Sequence, residues 1–210
     1  MSDRPLVLAS ASPRRAELLR RAGLSFTVHA VDCDEAWRPG ERAPAYAQRV
    51  AAAKATAAAE QLGDRGSPVP LILAADTTVW LDAEREPLQK PSDRADATAM
   101  LRALTRGRPH QVTTACAFAQ PSPSGPVLVA ELAQTTTVHM RELDERRFAG
   151  FIDAYLDAGD WTDKAGGYAI QGRAAALVET IDGSYTGVVG LPLAQVLAQL
   201  ERLLQPRPSA

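Results

Sequence analysis

The sequence has few of the residues that cross-link small proteins or bind metal ions in them. Its two cysteines, Cys33 and Cys116, form neither a zinc-binding spacing nor a disulfide framework. We therefore predict reduced thiols in a cytoplasmic protein. Of the three histidines, His29 and His139 fall in predicted strands and His110 follows a turn-like Gly-Arg-Pro. None is a plausible partner for a nucleophile, so a covalent serine or cysteine mechanism has little support.

Long apolar runs and an excess of one charge are also missing. The first apolar run ends at Ala9, too early for a secretory signal, and no later run approaches the length of a membrane span. The formal net charge is −2, so no global field favours nucleic acid or an anionic membrane, and we expect neither as a partner. A Gly-x-x-x-x-Gly-Lys-Ser/Thr motif is absent, which disfavours a P-loop kinase or ATPase.

The most informative stretch is LVLASASPRRAELLRRAG, residues 6–23. Residues 6–8 are apolar and are typical of the end of a buried strand. Ser12 then suits the N-cap of a helix, Pro13 suits its first position, and Gly23 suits its end. The pattern predicts a strand, a short loop and a helix.

This loop carries the features of an anion site. It brings the hydroxyls of Ser10 and Ser12, free backbone N–H groups and the cation Arg14 to the positive end of a helix, where a phosphate binds well. The next residue, Arg15, heads into the helix, where a structural role is the alternative. An ordinary capped helix with surface arginines remains the competing interpretation of this stretch.

Further along the chain, strands alternate with helices. We predict strands at 25–30, 69–75, 79–81, 112–119, 127–140 and 174–181, and helices at 43–62, 93–104, 143–158 and 191–204. The continuous apolar run 69–75 indicates a central strand buried on both faces. The pattern predicts an α/β protein with a mixed sheet, in a single domain over residues 1–205 followed by a flexible tail at 206–210.

Carboxylates and cations recur at the predicted loops. Asp76 follows the central strand, so its carboxylate is expected at that strand's carboxyl end, where α/β proteins place ligands, although a turn residue is the alternative. Glu35 lies in an acidic loop that solvent alone would explain. The phosphate-binding candidates are Ser10, Ser12, Arg14, Lys54 and Lys90; the carboxylates are Glu35, Asp76 and Asp163; Gln171 offers an amide to a base. This set suits metal-assisted hydrolysis of a nucleotide phosphoanhydride.

Together these stretches resemble the Maf family of nucleoside triphosphate pyrophosphatases from Leu6 to about Leu204. The matching segments are LVLASASPRR (6–15), DEAWRPGE (34–41), the helix holding Lys54, LAADTTVWLD (73–82), LQKP (88–91), DKAGGYAIQG (163–172) and VVGLPL (188–193). The departures, at Ala11, Ala75, Gly167 and Ala169, are all small residues. The resemblance implies an elongated mixed α/β fold of the Maf/ITPase-like type, with a nucleotide-binding groove between two lobes.

The resemblance also implies an activity. It is hydrolysis of a nucleoside triphosphate to the monophosphate and pyrophosphate with a divalent cation, Mg²⁺ first and Mn²⁺ or Co²⁺ as alternatives. Asp76 is expected to act as general base or to position the water, and Glu35 to hold the metal with it. Lys164 is expected near the reacting centre, while Ser10, Ser12, Arg14, Lys54 and Lys90 offset phosphate charge. Some relatives pair, so a homodimer is an open possibility.

The residues flanking the site select a branch of the family. A branch acting on 7-methyl-GTP typically has Trp after Ser-Pro, Ser-Asp-Gln, and a Cys-Ala-Gly loop ending Ser-Glu-Gly. This chain has Arg14, Thr77 and Gln171 at the corresponding places, which resembles the branch acting on dTTP and UTP. Gln171 offers a donor and an acceptor to a pyrimidine edge of two carbonyls and one N–H. Thr77, Gln171 and Arg14 are therefore expected to carry a preference for dTTP, UTP and modified pyrimidine relatives.

Two other functions compete with this one. The first is a nucleotide-binding regulator of cell division and septum formation, in which turnover is secondary. The second is a phosphatase that releases single phosphates. An intact set of carboxylates favours catalysis over simple binding, because a pure binder has no need of Asp76.

Overall fold

The computed structural model of the protein describes residues 4–64, 68–83 and 85–205. Its helices are α1 (Pro13–Arg21), α2 (Ala43–Leu62), α3 (Arg94–Leu104), α4 (Glu145–Asp157), α5 (Tyr185–Val189) and α6 (Leu193–Leu204). Its strands are β1 (Leu6–Leu8), β2 (Thr27–Val28), β3 (Leu71–Trp80), β4 (His110–Gln120), β5 (Val127–Met140) and β6 (Val178–Asp182). Short 3-10 helices cover Ala165–Gly167 and Arg173–Leu177. The expected tail, residues 206–210, lies outside the described residues.

The strands form one mixed sheet in the order β2-β1-β3-β4-β5-β6. β1 is parallel to its neighbours β2 and β3, whereas the pairs β3–β4, β4–β5 and β5–β6 are antiparallel. Helices flank this sheet, so the predicted mixed α/β class is confirmed. Among the described helices, none is long and apolar enough to span a membrane.

The prediction that the central strand ends before Asp76 is wrong. β3 continues to Trp80, and Asp76 pairs with Ala115 in its middle. β1 ends at Leu8, opposite Leu73, and β3 is next bridged on that side at Val79, to Leu88. Between these points, no strand in the described part of the chain covers this edge. Polar residues can continue β3 at this place, because past the end of β1 their side chains meet polar partners.

The two faces of the sheet carry different cores. Alternate side chains of β3 face opposite ways. Ile72 and Ala74 meet the alanines of α2 on one face, where small side chains allow the helix to pack closely. Asp76 continues the same alternation, which places it under α2.

Two apolar clusters share the other face, at opposite ends of the strands. We call them the α1–α6 cluster, which includes Leu71, Leu73 and Ala75, and the α3–α4 cluster, which includes Val79. Thr77 lies between them by the same alternation.

Three local predictions differ from the structure. The strand expected at 25–30 is reduced to Thr27–Val28, because its partner β1 ends at Leu8 and offers no further residues to pair with. The strand expected at 174–181 begins as the 3-10 helix Arg173–Leu177, and only β6 is extended. Helix α5 was not expected, since five residues are too few to show a helical period; Ser184 caps it by accepting from the Gly187 N–H at 3.0 Å.

His110 is a buried polar residue at the start of β4. Its Nε2 lies 2.7 Å from the Tyr168 hydroxyl, and its Nδ1 has no hydrogen-bond partner among the described residues. Burial lowers the pKa of His110 from 6.5 to about 4, because a charged imidazolium here would lose its hydration. The neutral ring is therefore the form that the folded protein accommodates.

We expect this histidine to make the protein less stable as the pH is lowered. Its pKa is lower in the folded protein, so its contribution is complete above pH 6.5 and is lost as pH falls towards 4, because the unfolded chain takes up the proton first. The loss should reach about 3 kcal/mol. Urea unfolding at several pH values should show a smaller loss for His110→Gln, which keeps a polar partner for Tyr168. Identical pH profiles for the two proteins would contradict the assignment.

Candidate active site

A groove of about 750 Å³ lies over the open edge of β3. Its walls are the β1–α1 loop, the loop before α2, the end of α5 and the 163–171 loop. All eleven residues predicted from the sequence line it: Ser10, Ser12, Arg14, Glu35, Lys54, Asp76, Thr77, Lys90, Asp163, Lys164 and Gln171. The volume is typical of small-molecule sites. The structure brings these residues together; their individual roles stay predictions.

A lysine between two carboxylates forms the centre of the groove. Lys54 Nζ lies 2.9 Å from Asp76 Oδ1 and 3.0 Å from Glu35 Oε1. Lys54 is on the same face of α2 as the alanines that pack on the sheet, so its side chain extends towards the sheet and contacts Asp76. Asp76 is buried, and Glu35 is about half exposed. Burial raises the pKa of Asp76, and the charges of Lys54 and Arg15 oppose that rise.

The loop carrying Glu35 is fixed to α2 by two side chains that the sequence did not single out for this role. The Tyr46 hydroxyl donates to the Glu35 carbonyl at 2.9 Å. Arg49 binds both carboxylate oxygens of Glu41, at 2.7 and 2.9 Å, and also donates to the Ala36 carbonyl at 2.8 Å. Such paired contacts are geometrically specific, so they fix the position from which Glu35 reaches Lys54.

The carboxylates suit a divalent cation that binds together with a phosphorylated substrate. Within the described ranges, no group of three or more His, Cys, Asp or Glu residues is placed to hold a metal ion. Mg²⁺ is commonly held by one or two carboxylates, with substrate phosphates and waters supplying the other oxygens. Asp76 and Glu35, held on one lysine, fit that donor set.

The predicted anion loop has the expected form. Ser12 is the N-cap of α1 in extended conformation, and Pro13 is the first helical residue. Ser10 Oγ accepts from the Ser12 N–H at 3.3 Å and from Arg15 Nη1 at 2.9 Å. Arg14 is half-buried at the groove, with the charge of Asp163 facing it. A positive helix end and a guanidinium thus face the same space.

Arg15 is the residue whose importance the sequence left open. Its Nε donates to the Gly190 carbonyl at 2.8 Å and its Nη2 to Thr77 Oγ1 at 3.1 Å. It therefore ties α1 to β3 and to the end of α5 while also lining the groove. Two adjacent arginines look alike in sequence, and only the rotation of about 100° per helical residue separates their surroundings.

The far wall of the groove is the 163–171 loop, together with Lys90. Lys164 Nζ donates to the Thr162 carbonyl at 2.9 Å, and burial together with the charge of Arg14 lowers its pKa. Lys90 and Gln171 are exposed at the groove. The loop is anchored from behind, where the Tyr155 hydroxyl donates to the Gly167 carbonyl at 3.0 Å and Tyr168 meets His110.

Comparison with known proteins gives consistent matches. The family model described as Maf-like protein matches residues 5–203. A relative from Hahella chejuensis, named dTTP/UTP pyrophosphatase, is 43% identical and aligns with 94% of this chain and 92% of its own. A relative of the same name from Myxococcus xanthus is 43% identical, with coverage of 97% and 94%. A nucleoside-triphosphatase, dITP/XTP pyrophosphatase from Mycobacterium abscessus matches with a TM-score of 0.36 at 15% identity, covering 96% of this chain and 98% of that chain, a likeness too weak to support a conclusion.

Arg14 should bind the phosphates of a triphosphate directly. Arg14→Ala removes a charge-assisted contact, so we expect KM to rise, or kcat/KM to fall, by about 10- to 100-fold. Arg21→Ala is the matched control, because Arg21 lies on the same helix but pairs with Glu17 at 2.7 Å, away from the groove. Steady-state kinetics measure both variants. Equal kinetics for the two would place the phosphate contact elsewhere.

Proposed function

The chain belongs to the Maf family, and we propose from this that it hydrolyses dTTP and UTP to the monophosphate and pyrophosphate. Relatives 43% identical over nearly the whole chain are named dTTP/UTP pyrophosphatase, which supports the reaction and the substrate class. These names do not favour the alternative of a division regulator without turnover.

The observation that carries the proposal is the pair of carboxylates on Lys54 at the floor of a cation-lined groove. Asp76 is the general base. Its Oδ1 is held by Lys54, which leaves Oδ2 outside that ion pair. A carboxylate whose pKa is raised by burial accepts a proton more readily than a solvated one.

In the proposed reaction, a water oxygen attacks the α-phosphorus while Asp76 takes a water proton. The bond from the α-phosphorus to its bridging oxygen breaks, and pyrophosphate leaves with that oxygen. Arg14, Lys90 and the positive end of α1 offset the charge of the triphosphate. Lys164, placed beside Arg14, faces the reacting phosphate.

Glu35 and Asp76 are the residues that would hold a divalent cation, most simply Mg²⁺, with Mn²⁺ or Co²⁺ as alternatives. When bound, such an ion supplies Lewis-acid neutralisation of the phosphate oxygens. Half-exposed Glu35 can turn to an ion that arrives with substrate. Lys54 keeps the two carboxylates together before that ion arrives, since it lies between them and offsets their mutual repulsion.

Base selection rests on the 163–171 loop. Gln171 is exposed at the groove and can both donate to and accept from a uracil or thymine edge. The 7-methylguanine ring is cationic and favours an aromatic or carboxylate partner. Tyr168 is the aromatic residue in this loop, but its hydroxyl is bound to His110 and the side chain is buried. The carboxylate of the loop, Asp163, faces the charge of Arg14. Pyrimidines therefore fit the loop better.

Asp76→Asn tests the base. The amide cannot take up the water proton, so kcat should fall by about 100- to 10,000-fold while the fold is kept. The wild-type rate should decline on acidification at a higher pH than an ordinary aspartate would give, because the raised pKa protonates the base earlier. Pyrophosphate release measured across pH gives both results.

Asp182→Asn is the control for Asp76→Asn, because Asp182 is exposed on β6 away from the groove. It should keep the wild-type rate and pH profile. Full activity in Asp76→Asn would refute the assignment of the base. Inorganic phosphate in place of pyrophosphate would instead indicate a phosphatase.

A panel of triphosphates tests the substrate. We expect dTTP, UTP, 5-methyl-UTP and pseudo-UTP to be cleaved well, and ATP, GTP and 7-methyl-GTP poorly. A mismatched base would leave buried polar groups unpaired, which can give large discrimination. A kcat/KM for 7-methyl-GTP above that for dTTP would overturn the substrate assignment but leave the family unaffected.

A further inference from the structure

Two threonine hydroxyls lie in series behind the groove. Thr77 of β3 and Thr114 of β4 are directly paired in the sheet, and their Oγ1 atoms are 2.9 Å apart. Thr114 Oγ1 lies 2.8 Å from the carbonyl oxygen of Gly187 in α5. Arg15 Nη2 lies 3.1 Å from Thr77 Oγ1. The four groups form one chain of hydrogen bonds from α5 to the guanidinium.

The chemistry of the two ends fixes the direction of every bond in this chain. A carbonyl oxygen only accepts, so Thr114 donates its single hydroxyl proton to the Gly187 carbonyl. Thr114 can then only accept from Thr77, and Thr77 donates its own hydroxyl proton to Thr114. A guanidinium only donates, so Thr77 accepts from Arg15. Thr77 therefore has no hydroxyl proton left for a ligand.

This chain of hydrogen bonds lies between the two apolar clusters and reaches the groove at one end. Thr77 and Thr114 lie on the face that carries both the α1–α6 cluster and the α3–α4 cluster, between the two. Thr114 is fully buried and does not line the groove, whereas Thr77 and Arg15 do. Arg15 also donates through Nε to the Gly190 carbonyl, so both sides of the guanidinium are held by the region of α5.

Arg15 keeps donors for a ligand. Three of its five N–H groups donate hydrogen bonds to Gly190, Ser10 and Thr77. The two others, one on each terminal nitrogen, take no part in these bonds. Because the guanidinium is planar and clamped, their direction is set by the partners already named.

We propose that Thr114 is a positioning residue for this active site, acting through Thr77 to orient the Arg15 guanidinium towards the phosphates. This inference rests on the proposed function. It assigns Thr77 to the arginine and the phosphates, where the family resemblance assigns it to the choice of base. Thr114, which lies outside the groove, thus sets the orientation of the Arg15 guanidinium inside it.

A double-mutant cycle tests the relay. Thr77→Val and Thr114→Val each keep the side-chain shape and remove the hydroxyl. Each should lower kcat/KM for UTP by about 10- to 100-fold, since small misplacements of a substrate-orienting group cost that much. The double variant should be no worse than Thr77→Val alone, because a broken relay cannot be broken again. Multiplying effects would overturn the proposal.

Matched variants separate positioning from general loss of structure. Thr113→Val removes a neighbouring, fully buried hydroxyl that bonds to Trp80 and Thr135 on the opposite face. It should lower stability in urea without changing kcat/KM. Thr114→Ser restores the hydroxyl and should recover most of the activity. An unchanged rate in Thr114→Val, or an equal loss in Thr113→Val, would contradict the relay.

Base selectivity gives a test that does not require Thr114→Val to fold. Acting through Arg15, Thr77→Val should lower kcat/KM for UTP and for the poor substrate GTP by the same factor. A direct contact from Thr77 to the base would change the ratio of the two, and that result would overturn the proposal. Failure of the proposed function is distinguishable, because wild-type protein would then release no pyrophosphate from any nucleotide.

Discussion

A buried carboxylate in the middle of β3 is the constraint on which the site depends. Asp76 follows the apolar first half of β3 and is buried, so an unpaired charge there would be very costly. Lys54 reaches it at 2.9 Å, and Arg15 adds a second positive charge from the other face of β3. The alanines of α2 let the helix pack closely enough for this ion pair to form. Helix position, sheet packing and catalytic charge are thus coupled.

The groove exists because one strand is short. β1 ends opposite Leu73 and exposes the edge of β3 around Asp76 and Thr77. The segments that line this edge carry cations, among them Arg14, Lys90 and Lys164. Adjacent residues of β3 face opposite sides, so Asp76 meets Lys54 while Thr77 meets Arg15. One strand therefore carries the proposed base on one face and, on the other, the threonine that binds the guanidinium proposed to face the phosphates.

Local patterns predicted much of this structure, and long-range pairing explains what they missed. The bounds of α2 and β5 and the N-terminus of α1 follow from composition and capping. The polar Asp-Thr-Thr at 76–78 suggested the end of a strand, because a sequence does not show where the neighbouring strand stops. The roles proposed for Arg15 and Thr114 depend on partners more than sixty residues away in sequence. Arg15 binds Thr77 and Gly190, and Thr114 binds Gly187. Such partners leave no local pattern.

The position of bond cleavage tests the central claim most directly. Hydrolysis of UTP in water enriched in ¹⁸O, followed by mass spectrometry of both products, reports which phosphorus the water attacks. Attack at the α-phosphorus by water held against Asp76 predicts one ¹⁸O in the monophosphate and none in the pyrophosphate. Label in the pyrophosphate would show attack at the β-phosphorus and would contradict the geometry proposed for Asp76.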